Sequence, residues 1–346
     1  MDGDILRSLT KVDLHRHLEG TLRLSTIIDL ARHAGADLPA WTPDELAGHA
    51  QIREPVGGLE EAVERFALAQ ASFRTYYAVR RITREAVEDL AADNVRLAEL
   101  RFSPAFMCSP ANLDWDGSLE AILGGLDDAA HLGVAVGLIA IASRDLGEAS
   151  ARRTAEWTVR HRDRFVGFDL AGPEVGYPPA TYREVLEPIR DSGLGLTTHY
   201  GESGPPEYPR EAIEVLEPRR LGHGVSVAWD PEVTALALER GVTLEMCPTS
   251  NFLTQAVPSI EDHPARHLLR RGLRVTINTD NPGLFGIDLT DELTAARDRL
   301  AFTDQDLRRV MANALEASFL PDGVKAEVRR RHFWWVGSNG EGSTLQ

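Results

Sequence analysis

Eight short runs rich in Val, Ile, Leu and Phe alternate along this chain with longer segments of helical period, and few folds accept that order. Alternating strand and helix signals require a parallel sheet whose strands are joined by crossover helices. The predicted strands are Lys11 to His15, Leu97 to Phe102, Val134 to Ile141, Phe165 to Leu170, Gly195 to His199, Arg220 to His223, Val242 to Glu245 and Arg274 to Asp280. Eight strand-helix units close into a (β/α)8 TIM barrel, an α/β fold whose chemistry sits at the carboxyl ends of the strands. At 346 residues the chain is long for one domain, but barrels of this kind reach that length. One barrel domain is therefore expected over residues 1–335, with a polar, Gly-rich flexible tail over 336–346.

A helical excursion, about Leu24 to Asp93, interrupts the pattern after the first strand, and Glu60 to Ala71 and Thr83 to Asp93 within it are amphipathic. Loops above strand ends wall the pocket of a barrel, so part of this excursion is expected to form a lid.

Lys plus Arg total 37 against 53 Asp plus Glu, a net charge of -16. Such a balance disfavours nucleic-acid phosphate and an anionic membrane as partners and suits a small neutral or cationic substrate. No leader pattern and no run of about 18 apolar residues occurs, so a cytoplasmic protein is expected. Two cysteines, Cys108 and Cys247, are too few for a disulfide framework and read as packing residues.

The chemistry gathers at strand ends. In Val12-Asp13-Leu14-His15-Arg16-His17 the two histidines share one face of a strand and can converge on a metal ion. Paired histidines also occur as ordinary core or surface residues. Here, however, His199, Glu202, His223 and Asp280 lie at the ends of separate apolar strands, which points to a metal-dependent hydrolase. Imidazole nitrogens from His15, His17 and His223 with the Asp280 carboxylate suit zinc better than magnesium or calcium. His199 either joins the ligands or hydrogen-bonds the water, leaving five candidates for four positions. Glu202 stands past the turn that Gly201 allows, where a carboxyl group can reach substrate as a proton donor.

These segments together resemble the adenosine deaminase family of the amidohydrolase superfamily. The resemblance runs through Lys11 to Gly20 (KVDLHRHLEG), Glu99 to Pro104 (ELRFSP), Asp169 to Glu174 (DLAGPE), His199 to Glu202 (HYGE), Leu221 to Gly224 (LGHG), Cys247 to Asn251 (CPTSN) and Asn278 to Pro282 (NTDNP). It implies hydrolytic removal of the amino group from C6 of a purine, with one Zn2+ per chain and water as the second reactant. By position it implies His15, His17, His199 and Asp280 as zinc ligands and Glu202 as the acid that protonates the ring nitrogen beside the attacked carbon. His223 would orient the attacking water and assist proton transfer, and Gly172 would offer its backbone N–H to the purine.

Several positions depart from the family pattern. Asn281 follows Asp280 where adenosine-acting members usually have a second Asp, and its amide can donate to purine N7 without a pKa shift. Tyr200 replaces a usual Ala and would narrow the pocket or hydrogen-bond a substituent, and Pro173 replaces an acid. Glu19 stands where nucleoside-acting relatives often have an Asp that meets the sugar, whereas Glu is common among relatives acting on free adenine. ELRFSP and DLAG lean towards the nucleoside-type members. The expected reaction turns an adenosine-like 6-aminopurine nucleoside into the 6-oxo nucleoside and ammonia. The alternatives are deamination of free adenine or a modified 6-aminopurine nucleoside, and a non-catalytic nucleoside-binding relative.

Overall fold

In the computed structural model, which describes residues 3–57, 62 and 65–333, all eight expected strands form. They are β1 (Lys11–His17), β2 (Val95–Phe102), β3 (Ala135–Ser143), β4 (Gly167–Ala171), β5 (Gly195–Tyr200), β6 (Arg220–His223), β7 (Thr243–Met246) and β8 (Arg274–Ile277). They pair in parallel and in sequence order, as a strand-helix alternation demands. Their residues are buried on both faces, which explains the nearly continuous apolar runs.

β8 is shorter than predicted. It stops at Ile277, because Asn278 turns its side chain to accept the backbone N–H of Leu14 (3.1 Å) and Asp280 adopts a left-handed φ of 57°. Closure against β1 is left to Asp280, whose N–H donates to the His15 carbonyl (2.8 Å) and whose carbonyl accepts from His17 N–H (2.9 Å). The barrel thus shuts at a residue of the candidate site.

The β1 to β2 crossover contains helices Leu24–Ala34, Pro43–Ala50, Ala67–Gln70 and Tyr76–Ala92. In the last, Val79, Ile82, Ala86, Val87 and Leu90 make one buried stripe, and the Thr75 hydroxyl caps the first turn by accepting from Ala78 N–H. The predicted amphipathic segment Thr83 to Asp93 is its second half. Of the segment Glu60 to Ala71, residues 60, 61, 63 and 64 lie outside the described residues, as does the tail 336–346. Among the described residues no helix is long and apolar enough to cross a membrane.

Below the site the barrel interior is charged. Glu99 and Arg101 alternate on β2 with residues that pack outward, and they meet acids and bases from β4, β6 and β7 across the interior. Arg101 pairs with Asp169 (2.8 Å) and Glu245 (2.8 Å), while Arg220 pairs with Glu99 (2.5 Å) and Glu245 (2.5 Å). None of these five side chains is more than 1% exposed. Buried charges persist only when paired and hydrogen-bonded, and here each cation meets two carboxylates.

Candidate metal centre and active site

β1, β5 and β6 bring His15, His17, His199 and His223 together at their carboxyl ends, with Asp280 completing the ring. The His15 ring centroid lies 4.6 Å from that of His199, 4.8 Å from His223 and 5.3 Å from His17. Such packing needs a backbone without a side chain beside it. A Cβ on Gly222 would stand 3.0 Å from His199 Nδ1 and 3.1 Å from His15 Cε1, so glycine at this place in LGHG admits both rings.

The charged interior sets how the rings face. His15 Nδ1 lies 2.8 Å from Glu245 Oε2 and His199 Nδ1 lies 3.0 Å from Asp169 Oδ1. A carboxylate accepts an N–H at Nδ1, which puts the free lone pair on Nε2 and aims it inward. Burial holds His17 and His223 well below the usual histidine range and lowers His199, so these rings are neutral donors. His15 differs: burial and Arg101 act downward, but Asp280 and Glu245 carry its pKa above the ordinary value. The field there favours positive charge.

These residues fit a metal ion. The ligand atoms of His15, His17 and His199 lie within 4.8 Å of one another, as do those of His15, His223 and Asp280. His15 Nε2 is buried and makes no hydrogen bond, a costly state for a polar atom unless something binds it. On Asp280, Oδ2 accepts from the Ser250 hydroxyl (2.6 Å), and Oδ1 lies 3.2 Å from His17 Nε2 and 3.5 Å from His15 Nε2. Nitrogen donors with one carboxylate oxygen form a transition-metal set.

Glu202 is presented by a loop that a second acid organises. Gly201 turns the chain at φ 90°, and Glu174 accepts the backbone N–H groups of Gly201, Glu202 and Ser203 at 2.8–2.9 Å. The Glu202 carboxyl group accepts from the Thr254 hydroxyl (3.3 Å) and lies 3.5 Å from His223 Nε2. Burial, reinforced by Asp280 and Glu174, pushes its pKa well above the carboxylate range. Asp280 goes the other way: burial alone would raise it, but His15, His17 and His223 hold it well below. Two carboxyl groups of one cavity are thus shifted in opposite directions, the kind of arrangement that divides acid from anion in an active site.

His223 sits at φ 61°, a left-handed conformation it shares with Asp280. Its Nδ1 lies 3.0 Å from the Asn251 side-chain amide, whose other end meets His263 Nε2 at 3.1 Å. Its ring therefore leans on a neutral amide, unlike the carboxylate-backed His15 and His199.

Cluster and acid open into a cavity of about 280 Å³. Glu19, Gly172 and Asn281 line it as the resemblance implies, and Phe66 from the excursion forms part of its wall. Glu19 Oε1 accepts from Ser103 N–H (2.7 Å), Oε2 is buried without a partner, and burial raises the group to about 7. Tyr200 does not narrow the cavity. Side chains alternate along β5, so His199 facing inward sends Tyr200 outward, where its hydroxyl donates to the Tyr177 carbonyl (3.1 Å). Asp169, Glu174, Glu245, Ser250 and Asn251 received no role from sequence reasoning. The available signal was a charged residue within an apolar strand, as at Asp169 and Glu245.

The adenosine deaminase family model matches residues 10–332. An adenosine deaminase from Serratia proteamaculans is 36% identical over 322 residues, covering 93% of this chain and 97% of the relative. An adenine deaminase from Arthrobacter aurescens has the same fold, with a TM-score of 0.87 at 29% identity over 95% of this chain and 99% of that one. A zinc-bound amidohydrolase from Burkholderia ambifaria matches with a TM-score of 0.85 at 28% identity, covering 96% of this chain and 91% of the other.

Proposed function

Because the chain belongs to the adenosine deaminase family, a family of hydrolases acting on carbon–nitrogen bonds of cyclic amidines, we propose that it deaminates an adenosine-like nucleoside in a zinc-dependent reaction. The products are the 6-oxo nucleoside and ammonia. The placement of Glu202 in one cavity with the histidine and Asp280 cluster carries this reading.

His15, His17, His199 and Asp280 are the proposed ligands. The carboxylates behind His15 and His199 are the support that metal-binding imidazoles receive, whereas the amide N–H given to His223 Nδ1 leaves that ring's own N–H on Nε2, a donor rather than a metal-binding lone pair. Held by these residues, a zinc ion would supply Lewis acidity and would make an attacking water more acidic. His223, whose Nδ1 accepts from the Asn251 amide, carries its ring N–H on Nε2 and would orient the attacking water by donating to it and assist proton transfer through that N–H. As C6 becomes tetrahedral, negative charge grows on the ring, and protonated Glu202 donates to the adjacent ring nitrogen and removes it. Gly172 N–H and the Asn281 amide hold two further edges of the purine.

Among the described lining residues there is no Lys or Arg, so nothing offsets the charge of a 5′-phosphate. A nucleoside or base suits the cavity better than a nucleotide. Buried Glu19, with one oxygen unpartnered, favours free adenine as the second reading. The test is an ammonia-release screen of metal-loaded protein over adenosine, deoxyadenosine, adenine, N6-substituted adenosines and 5′-modified nucleosides, with metal analysis. Adenosine-like nucleosides should give the highest kcat/KM. Ammonia from none of them would end the deaminase reading.

Asn281 provides a separate check. Asn281 lines the cavity, its Oδ1 is buried against Gly20 without a hydrogen bond, and its amide N–H is the proposed donor to purine N7. A 7-deaza nucleoside should react worse by about 1–3 kcal/mol, since the amide would face a C–H. In Asn281→Asp that discrimination should become pH-dependent, because only a protonated Asp donates. Equal 7-deaza discrimination by both proteins at every pH would show that position 281 does not read N7.

A further inference from the structure

We propose that Asp145, held in place by Ser143, is a specificity residue that accepts hydrogen bonds from the ribose 2′- and 3′-hydroxyls of a nucleoside substrate. The proposal rests on the purine-deaminating reading above and adds a contact at the far side of the substrate.

Ser143 ends β3, and Asp145 follows two residues later in the short turn Arg144–Leu146, so both stand at the carboxyl end of the barrel. Both line the cavity. The Ser143 hydroxyl donates to Asp145 Oδ1 at 2.6 Å, which orients the carboxylate and leaves Oδ2 available. Arg144, between them, points the opposite way. It is fully buried, donates to the carbonyls of Leu170, Gly172 and His199, and stacks on the Tyr200 ring at 4.2 Å. Its charge is absorbed by the barrel wall, and it anchors the turn that presents Asp145. With no Lys or Arg among the described lining residues, Asp145 meets no cation in the cavity. The oxygens of a carboxylate in that position accept, so its natural partners are neutral donors such as hydroxyl groups.

The purine's own geometry says where the sugar lies. With the ring nitrogen beside C6 facing Glu202 and N7 facing Asn281, the edge remaining for Gly172 N–H carries N3. N9, and the sugar on it, lie next to that edge. Asp145 adjoins Gly172 closely: a Cβ added to Gly172 would be 2.9 Å from Asp145 Oδ1 and 3.1 Å from Ser143 Oγ. Depth agrees, since the histidine cluster is buried whereas Asp145 is exposed at the mouth. C6 therefore points down to the reacting groups and the sugar points out to Asp145.

The experiment compares kcat/KM of the metal-loaded parent and Asp145→Ala on adenosine, 2′-deoxyadenosine, 3′-deoxyadenosine, 2′,3′-dideoxyadenosine and adenine. Asp145→Ala should lose roughly 10- to 100-fold on adenosine, the range for a hydrogen bond to a charged group. It should change by no more than about twofold on the dideoxy nucleoside, which also shows that the variant is folded. In the parent, the monodeoxy substrate that reproduces the loss identifies the hydroxyl read. Equal losses on adenosine and its dideoxy analogue, or no loss on either, would overturn the proposal. So would a parent that deaminates adenine but no nucleoside. Release of ammonia from no purine at all removes the deaminase reading itself.

Discussion

Glu202→Gln is expected to keep its fold and metal while turnover falls by at least about 100-fold, the lower range for loss of general acid assistance. The amide preserves shape and can still accept from Thr254, but it has no acidic proton to deliver when the ring becomes anionic. Burial and the Asp280 carboxylate raise the folded pKa of Glu202, so the parent keeps that proton to higher pH than a free carboxyl group does. The sign then follows: parent activity should decline as pH rises through the raised pKa. The Gln variant should lack this decline. Steady-state rates against pH for both proteins, at equal metal content, provide the check. Near-parental turnover by Glu202→Gln would assign the acid elsewhere.

His15→Ala and Asp280→Ala should each abolish activity and weaken metal binding by more than about 100-fold, since removing even an outer partner of a ligand costs 10- to 100-fold. His15 occupies the centre of the cluster, 4.6 Å from the His199 ring and 4.8 Å from that of His223. Without it the cluster loses a nitrogen whose tautomer Glu245 already sets. Asp280→Ala removes the one carboxylate oxygen facing His15 and His17, although its backbone can still close the barrel. Metal analysis after dialysis separates the outcomes. Full retention in both variants would mean that the ligands are misassigned.

The barrel was legible because strand and helix periods differ and alternate cleanly here. β1 to β7 lie where apolar runs placed them, to within two residues at most ends. β8 was overextended, because the polar residues Asn278 to Asp280 follow directly on an apolar-rich run without a Gly or Pro between, and the tertiary contact with Leu14 shows the chain leaving the strand. The candidate site residues, which the fold brings together, were legible because imidazole and acidic groups stand at strand ends. Their supports were not. Glu174 acts by gathering three backbone N–H groups across 27 to 29 residues, and Arg101 by joining Asp169 to Glu245, contacts for which sequence spacing offers no rule. Tyr200 was read towards the cavity although strand alternation, with His199 inward, already excluded it.

The left-handed backbone at His223 and Asp280 sets catalysis against heat resistance. Each position holds a bulky L residue where glycine or asparagine rests more easily, at a cost of roughly 1–3 kcal/mol apiece. Substitutions that relax the chain there delete the imidazole or the carboxylate. Selection of this enzyme for thermal tolerance alone will therefore tend to recover inactive variants at these two positions, and a screen for hardier forms must demand turnover as well as survival.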